Sequence, residues 1–178
     1  LPPYNWAGDM SELHDTIEDQ IRNVMLGDGL IAPNAAFDPT IDRVDAGRSA
    51  DLDALVAYVA SLEPWPSPYR RPDGSLSESA ERGMRLFMSG SPNCGCHTPP
   101  LYSDRKQHNL AGAAFSLETF EAFDTPTLRG LWATAPYMHD GVAQTLEELL
   151  TRTDPVHSIA TGLSEQQLED LIAFLLSL

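Results

Sequence analysis

The chain has 178 residues, of which 42% are hydrophobic, and 26 acidic against 11 basic side chains give a formal net charge of −15. A chain of this length can bury a core and fits one or two domains. The acidic charge argues against binding to nucleic acid or to anionic membrane surfaces, and no stretch approaches the ~20 apolar residues of a membrane span. Such a charge suits a basic partner, or simply keeps the protein in solution.

Helical patterns dominate the chain, and we predict an all-α fold without strands. A small helical segment forms residues 1–75, and its first helix turns five apolar side chains to one side and a solvated His14 to the other. A second unit, residues 76–178, has long loops over residues 98–144 and a last helix that opens on a capping box at Ser164. The predicted helices span residues 11–26, 50–62, 77–88 and the C-terminal residues, and the five apolar side chains are Leu13, Ile17, Ile21, Val24 and Met25.

A Pro-rich stretch separates the two units. Five residues, Pro64, Pro66, Pro68, Pro72 and Gly74, interrupt the helical pattern there. Proline and glycine break helices, so we place a domain boundary after residue 75.

The two cysteines of the chain stand beside a histidine, in Cys94-Gly95-Cys96-His97. A cysteine followed directly by histidine is typical of c-type haem attachment, in which thiols form thioethers to haem vinyl groups and the imidazole binds the iron. The usual spacing is Cys-x-x-Cys-His, so one residue is missing here. Attachment through Cys96 alone is therefore as open as attachment through both cysteines.

Other interpretations of this cluster remain open. Zinc would take Cys94, Cys96, His97 and also His108, although structural zinc usually draws on two separated ligand pairs. A Cys94–Cys96 disulfide would close a very small ring with strained geometry. Unmodified thiols are the remaining alternative.

Motifs around the cluster resemble, in this order, the C-terminal haem domain of the bacterial dihaem cytochrome c peroxidase and MauG-like family. The resemblance is strong over residues 76–178 and weaker over residues 1–75, where Trp6-Ala7-Gly8 is similar to the family's inter-haem Trp-Asp-Gly. The motifs are Leu76-Ser77-x-x-Ala80-x-Arg82-Gly83-x-x-Leu86-Phe87, Pro99-Pro100-Leu101-Tyr102-Ser103-Asp104, His108-Asn109-Leu110, Phe123-Asp124-Thr125-Pro126-Thr127-Leu128-Arg129-Gly130, Thr134-Ala135-Pro136-Tyr137-Met138-His139-Asp140-Gly141 and Thr145-Leu146-Glu147-Glu148-Leu149-Leu150.

The resemblance implies one covalent haem c in a cytochrome c domain with haem-wrapping loops. The family carries a further haem motif upstream of the residue that matches Trp6, so we expect that haem domain to be absent or to lie on another chain. Family haem sites also include calcium, bound partly by a segment that matches Thr134 and Pro136. The asparagine that completes this calcium site corresponds to a position upstream of Leu1, so calcium is doubtful.

The second axial ligand of the iron decides much of the chemistry, because methionine, histidine or an open face give different potentials and reactivities. The family's methionine region matches residues 150–161, which hold His157 instead, and His157 is the expected ligand. Met138 is the alternative, with His108 behind it. We expect His139 to have a structural role and Arg129 to pair with a haem propionate or an ordinary surface carboxylate.

The resemblance thus implies a c-type cytochrome module that transfers single electrons, placed in the periplasm or at the cell surface. Its partner would be an electron-transfer protein or an upstream second haem domain. The alternative is a peroxidase or a MauG-like peroxide-dependent oxidase; a non-redox structural module is the third. Peroxide cleavage needs an acid–base group near an open iron face. The family's glutamine position falls near Thr16 here, and no catalytic residue is assigned.

Overall fold

The computed structural model describes residues 2, 4–5, 8–32, 44–90, 94–109, 122–152 and 162–178, and among these the structure is mostly helical. None of the described helices is both long and apolar enough to cross a membrane. The helices are α1 Leu13–Asp19, which continues as a π-helix Gln20–Val24, α2 Ala50–Ser61, α3 Glu78–Met88, α4 Leu146–Thr151 and α5 Glu165–Leu176.

Two short strands depart from the all-α prediction. Strand β1 Gln107–Asn109 pairs with β2 Ala122–Asp124, and a 3₁₀ turn follows at Leu131–Ala133. Strands of three residues are too short to produce the alternation of apolar and polar residues by which a strand is recognised in sequence. The prediction of unstructured loops over residues 98–144 was therefore wrong at these places.

One compact unit comprises residues 1–63 together with 105–108 and 122–124. Helix α1 packs on α2 in this unit, but its buried positions are Asp15 and Glu18. The predicted apolar side is wrong at its end, because Val24 and Met25 are 62% and 75% exposed. His14 was predicted to be solvated, yet it is half-buried with its Nε2 3.1 Å from an Asp53 carboxylate oxygen.

Glu18 joins α1 to the chain that follows it. Its carboxylate lies 2.5 Å from Nε of Arg22 and accepts the backbone N–H groups of Leu30 and Ile31 at 2.8 and 3.1 Å. Burial alone would raise the pKa of Glu18, but these donors outweigh it and lower the pKa. A buried carboxylate is tolerated here because each oxygen has charged or backbone donors.

The second compact unit comprises residues 64–104, 109–121 and 125–178. Its helices α3 and α5 pack closely over most of their length. Both begin at a serine cap as the sequence predicts: Ser77 accepts from the Ala80 N–H, and Ser164 forms a complete capping box with Gln167. The buried core consists of Ala80, Phe87, Tyr137, Ala143, Leu146, Leu150, Leu171, Phe174 and Leu175.

The Pro-rich stretch is held on the end of α5. Ser67 donates its hydroxyl to the Leu176 carbonyl at 2.5 Å, and Nε of Arg70 donates to the Ser177 carbonyl at 2.8 Å. Residues 64–75 thus make their contacts within the second unit. The functional boundary after residue 75 stays a prediction.

Candidate haem-binding site

The Cys-His motif forms a turn directly after α3. The N–H of His97 donates to the Cys94 carbonyl at 3.0 Å, which brings the two ends of the motif together. Both cysteines are half-buried and no disulfide joins them, so the structure does not contain the disulfide of the third interpretation. Burial, with a smaller effect of Cys96, raises the pKa of Cys94 to about 11; burial and Asp104 raise the pKa of Cys96. Both thiols are therefore protonated at neutral pH.

The imidazole of His97 is oriented by a backbone carbonyl. Its Nδ1 lies 3.1 Å from the carbonyl oxygen of Tyr102. A carbonyl can only accept, so Nδ1 is the donor in this contact. A metal-binding histidine is normally fixed in this way by a partner on its other nitrogen.

Tyr102 is itself held in place by aromatic packing. Its ring centroid lies 5.9 Å from that of Phe87 on α3 and 6.1 Å from that of Phe174 on α5. Its φ of 53° is left-handed, which is uncommon for a residue other than glycine. The packing of the ring offsets that backbone strain and fixes the carbonyl that orients His97.

A second segment runs beside the motif. Ser103 donates its hydroxyl to the Thr125 carbonyl at 2.7 Å, and Thr127 donates to the Leu101 carbonyl at 2.5 Å. These two hydrogen bonds flank Tyr102 in sequence. The segment then turns at Gly130, whose φ of 78° requires a residue without a side chain, and enters the 3₁₀ turn.

Two donors on this turn lack acceptors among the described residues. The guanidinium of Arg129 is exposed and forms no ion pair there. The indole Nε1 of Trp132 is buried, and no described group accepts its hydrogen bond. Haem c carries two propionate carboxylates, which accept such bonds. The two thiols, the oriented His97 and these donors together fit a covalently held haem.

Only some of the candidates for the second axial ligand lie among the described residues. Met138 is half-buried in a tight turn with φ 71°, and His139 follows it half-buried. His108 lies half-buried on β1 of the first unit. His157 and Trp6 lie outside the described residues, so their roles stay predictions. Thr134 is exposed and donates its hydroxyl to the Leu131 carbonyl at 3.1 Å.

Sequence reasoning missed two residues of this site. Tyr102 acts through its backbone carbonyl, which has no signature in the side-chain sequence. Trp132 stands in Leu131-Trp132-Ala133, which reads as ordinary apolar packing. The only available signal was their position inside the family-like motifs.

Comparison with known proteins also indicates a cytochrome c-like chain. The family described as RoxA-like, cytochrome c-like matches residues 122–156. Methylamine utilization protein MauG of Methylorubrum extorquens is 28% identical over 68% of this chain and 42% of its own. Cytochrome c551 peroxidase of Nitrosomonas europaea is 25% identical over 78% of this chain and 45% of its own. The chain is a cytochrome c-like relative of MauG and the cytochrome c peroxidases.

Hydrazine synthase is related as well. Its gamma subunit from Kuenenia stuttgartiensis is 30% identical in a match that covers 71% of this chain and 48% of that protein. A solved structure of the Kuenenia stuttgartiensis enzyme superposes with a TM-score of 0.66 at 27% identity, over all of this chain and 68% of that one. This cytochrome c-like chain spans about half the length of the curated relatives that it matches.

Proposed function

We propose that the chain is a c-type cytochrome module that holds one haem through Cys96, through Cys94 as well if the short turn permits, and passes single electrons. The observation that carries this proposal is the hydrogen bond between Nδ1 of His97 and the Tyr102 carbonyl, next to two cysteines that form no disulfide. This contact orients the imidazole, which would bind iron through its other ring nitrogen, Nε2. The cytochrome c-like family match supports the same cofactor.

Attachment requires only groups that the motif supplies. Cys96, and Cys94 if the turn permits, would hold the haem by thioether bonds to its vinyl groups, with each S–H supplying both the sulfur and the hydrogen that the vinyl group gains. Cys94 packs against the core of the second unit, whereas Gly95 beside it is exposed. The bound haem supplies one-electron chemistry at its iron, and the residues of the chain hold and orient it.

His157 would hold the haem iron as its second protein ligand, as expected from the family resemblance. A bis-histidine pair gives a lower potential than a histidine–methionine pair. Arg129 is proposed to bind a propionate, because its guanidinium is exposed and forms no ion pair with the described residues. Calcium bound at Thr134 and Pro136 remains an expectation that rests on the family resemblance alone.

The proposed location and partners of this module follow from its chemistry. Covalent haem attachment takes place outside the bacterial cytoplasm, which places the protein in the periplasm or at the cell surface. The net charge of −15 favours a basic electron-transfer partner, and salt should weaken that encounter. A second haem domain, upstream or on another chain, is the other partner proposed, since the matched relatives are about twice as long.

A peroxidase or MauG-like oxidase is the second candidate, and the names of the relatives favour it. The residue at the position of the family's catalytic glutamine argues against this second candidate. Thr16 stands near there, and its hydroxyl donates to the carbonyl of Glu12, the N-cap residue of α1, at 3.2 Å. It therefore already has a structural role.

One spectroscopic series tests both candidates. The protein, produced with a cytochrome maturation system, should give a pyridine haemochrome spectrum of one haem with saturated vinyl groups. A low-spin ferric spectrum that ignores peroxide supports the electron carrier, whereas a high-spin spectrum that changes with peroxide supports the enzyme. A colourless protein, or one that carries zinc, overturns the haem assignment.

A further inference from the structure

The indole N–H of Trp132 is a buried donor without an acceptor among the described residues. Such a group loses its hydrogen bond to water on folding, and native proteins rarely leave that loss uncompensated. Indole offers a donor and no acceptor, so only an acceptor can compensate. The indole N–H of Trp132 can therefore donate to an acceptor on a bound group.

The position of Trp132 in the chain connects it to the haem motif. The segment that leads to it is joined to the motif by the Ser103–Thr125 and Thr127–Leu101 hydrogen bonds, on either side of Tyr102. The 3₁₀ turn that contains Trp132 is packed against α5. It is held further by the Tyr137 hydroxyl, which donates to the Leu131 carbonyl at 3.3 Å. The donor is therefore carried by a fixed backbone.

The acceptor that best fits an unpaired buried N–H is a carboxylate, because a charge-assisted hydrogen bond is about twice as strong as a neutral one. Arg129, three residues earlier, is the other donor of this turn that forms no ion pair with the described residues. Described acidic side chains do not reach the indole. The described part of the chain thus offers the indole no carboxylate, and a bound group can supply one.

We propose that Trp132 donates its indole N–H to a propionate of the haem held at Cys96 and His97, and that it is a positioning residue for that haem. This inference rests on the proposed haem attachment. Arg129 contributes charge at the exposed end, and Trp132 contributes a directed bond in the buried part. Together they stabilise the ionised propionate.

The test compares Trp132→Phe with Trp65→Phe in the haem-loaded protein. Trp65 is 83% exposed, so its replacement controls for the loss of an indole. The measurement is the midpoint potential as a function of pH, where ionisation of a propionate appears as a change of slope. A lost hydrogen bond to a charged group should raise that propionate's pKa by about one unit. Trp65→Phe should leave the transition unchanged.

The outcomes separate this inference from the proposed function. The pyridine haemochrome of each variant reports whether haem is attached. Attached haem with an unchanged pH transition in Trp132→Phe overturns the assignment and leaves the electron carrier in place. A protein without haem overturns both.

A second measurement avoids dependence on the variant's folding. In the ¹⁵N-labelled ferrous wild-type protein, the Trp132 indole ¹⁵N–¹H resonance should shift through the same pH range as the potential, and the Trp65 resonance should not. If the Trp132 resonance is insensitive to pH there, the assignment is wrong even if Trp132→Phe fails to fold.

Discussion

Gly83 on α3 lies directly against the backbone carbonyl of Asp170 on α5. A Cβ atom built on Gly83 would come 1.8 Å from that carbonyl oxygen and 2.9 Å from Cβ of Phe174. The two helices can approach this closely only because residue 83 has no side chain. Phe174 belongs to the aromatic group that supports Tyr102, so this contact between helices also supports the haem motif.

Gly83→Ala should therefore separate α3 from α5. Overpacking costs typically 1–3 kcal/mol, and a clash with backbone belongs at or above the upper end, so we expect about 3 kcal/mol of lost stability. Urea unfolding followed by circular dichroism measures the loss. Arg85→Ala, an exposed change on the same helix, should stay within about 0.5 kcal/mol of wild type. Equal stability of the two variants would contradict the proposed close approach.

The same helices are joined by an ion pair between Arg82 and Asp170. Nε and one terminal nitrogen of Arg82 bind the two Asp170 oxygens at 2.7 and 2.8 Å, and Ser79 adds a third donor. The guanidinium hydrogen bonds, with Ser79 and Gln166, outweigh desolvation and lower the pKa of Asp170 to about 2. A lowered pKa stabilises the fold above the unfolded value near 4, and this stabilisation is lost as the pH falls towards 2.

Asp170→Asn should accordingly weaken the fold at pH 7 and much less at pH 2. Because the Arg82 side chain is 46% exposed, solvent screens the pair, and we expect only about 1–2 kcal/mol at pH 7. Unfolding free energies at the two pH values give the answer. A loss of the same size at both would show that the charge of Asp170 is irrelevant.

The sequence predicted these two helices well because their signals are local. Ser77 and Ser164 are followed at short range by the residues that they cap. The first helix was predicted less well. The donors to buried Glu18 come from residues 30–31, and buried Asp15 lies near the carboxyl of Asp45; periodicity within the helix does not contain that information.

Asp15 and Asp45 form a fully buried pair of carboxyl groups in the first unit. Burial, together with the Asp45 carboxyl, raises the pKa of Asp15 to about 7. Arg48 pairs with Asp45, so Asp15 is the member of the pair that holds the proton. A raised pKa makes the fold most stable at low pH, and stability declines between about pH 4 and 7, because the unfolded chain loses this proton near pH 4 while the folded protein keeps it up to about pH 7.

Asp15→Asn should remove this dependence. The amide keeps the shape without a charge, so the variant should gain stability over wild type as the pH rises from 5 to 8, by up to about 3 kcal/mol. Thermal unfolding at both pH values is the measurement. Asp51→Asn, at an exposed position on α2, should follow the wild-type profile. If the stability of Asp15→Asn depends on pH in the same way as that of wild type, Asp15 is ionised over the whole range from pH 5 to 8.

The Cys-His motif was predictable because it is contiguous, but its support was not. Tyr102 contributes a carbonyl and a ring that meets α3 and α5, and these relations appear only after the chain has folded. Nothing in the sequence distinguishes Trp132 from a core aromatic.

Tyr102→Phe and Tyr102→Ala separate the ring from the hydroxyl. Phenylalanine keeps the packing against Phe87 and Phe174, so its variant should resemble wild type. Alanine removes the ring, which costs about 3–5 kcal/mol in a packed position and frees the carbonyl that orients His97. Urea unfolding and the width of the redox titration of the haem-loaded protein measure both effects. A Phe variant as damaged as the Ala variant would transfer the role to the hydroxyl.

The variants Cys96→Ser and Cys94→Ser test how many thioether bonds join the chain to the haem. Because Cys96 directly precedes His97, we expect Cys96→Ser to release haem from the polypeptide under denaturing conditions. Cys94→Ser should release less, since the two-residue spacing from Cys96 hinders a second thioether. Haem-stained denaturing gels with the pyridine haemochrome give the measurement. A large loss in Cys94→Ser would show that both thioethers form.

The second axial ligand is tested by His157→Ala. If His157 binds the iron, its removal opens that face, and the ferric spectrum should change from low-spin to high-spin. Met138→Leu is the matched control, because Met138 is the alternative ligand and leucine keeps its half-buried apolar volume. An unchanged spectrum in His157→Ala, with a high-spin one in Met138→Leu, would transfer the ligand to Met138 and imply a higher midpoint potential.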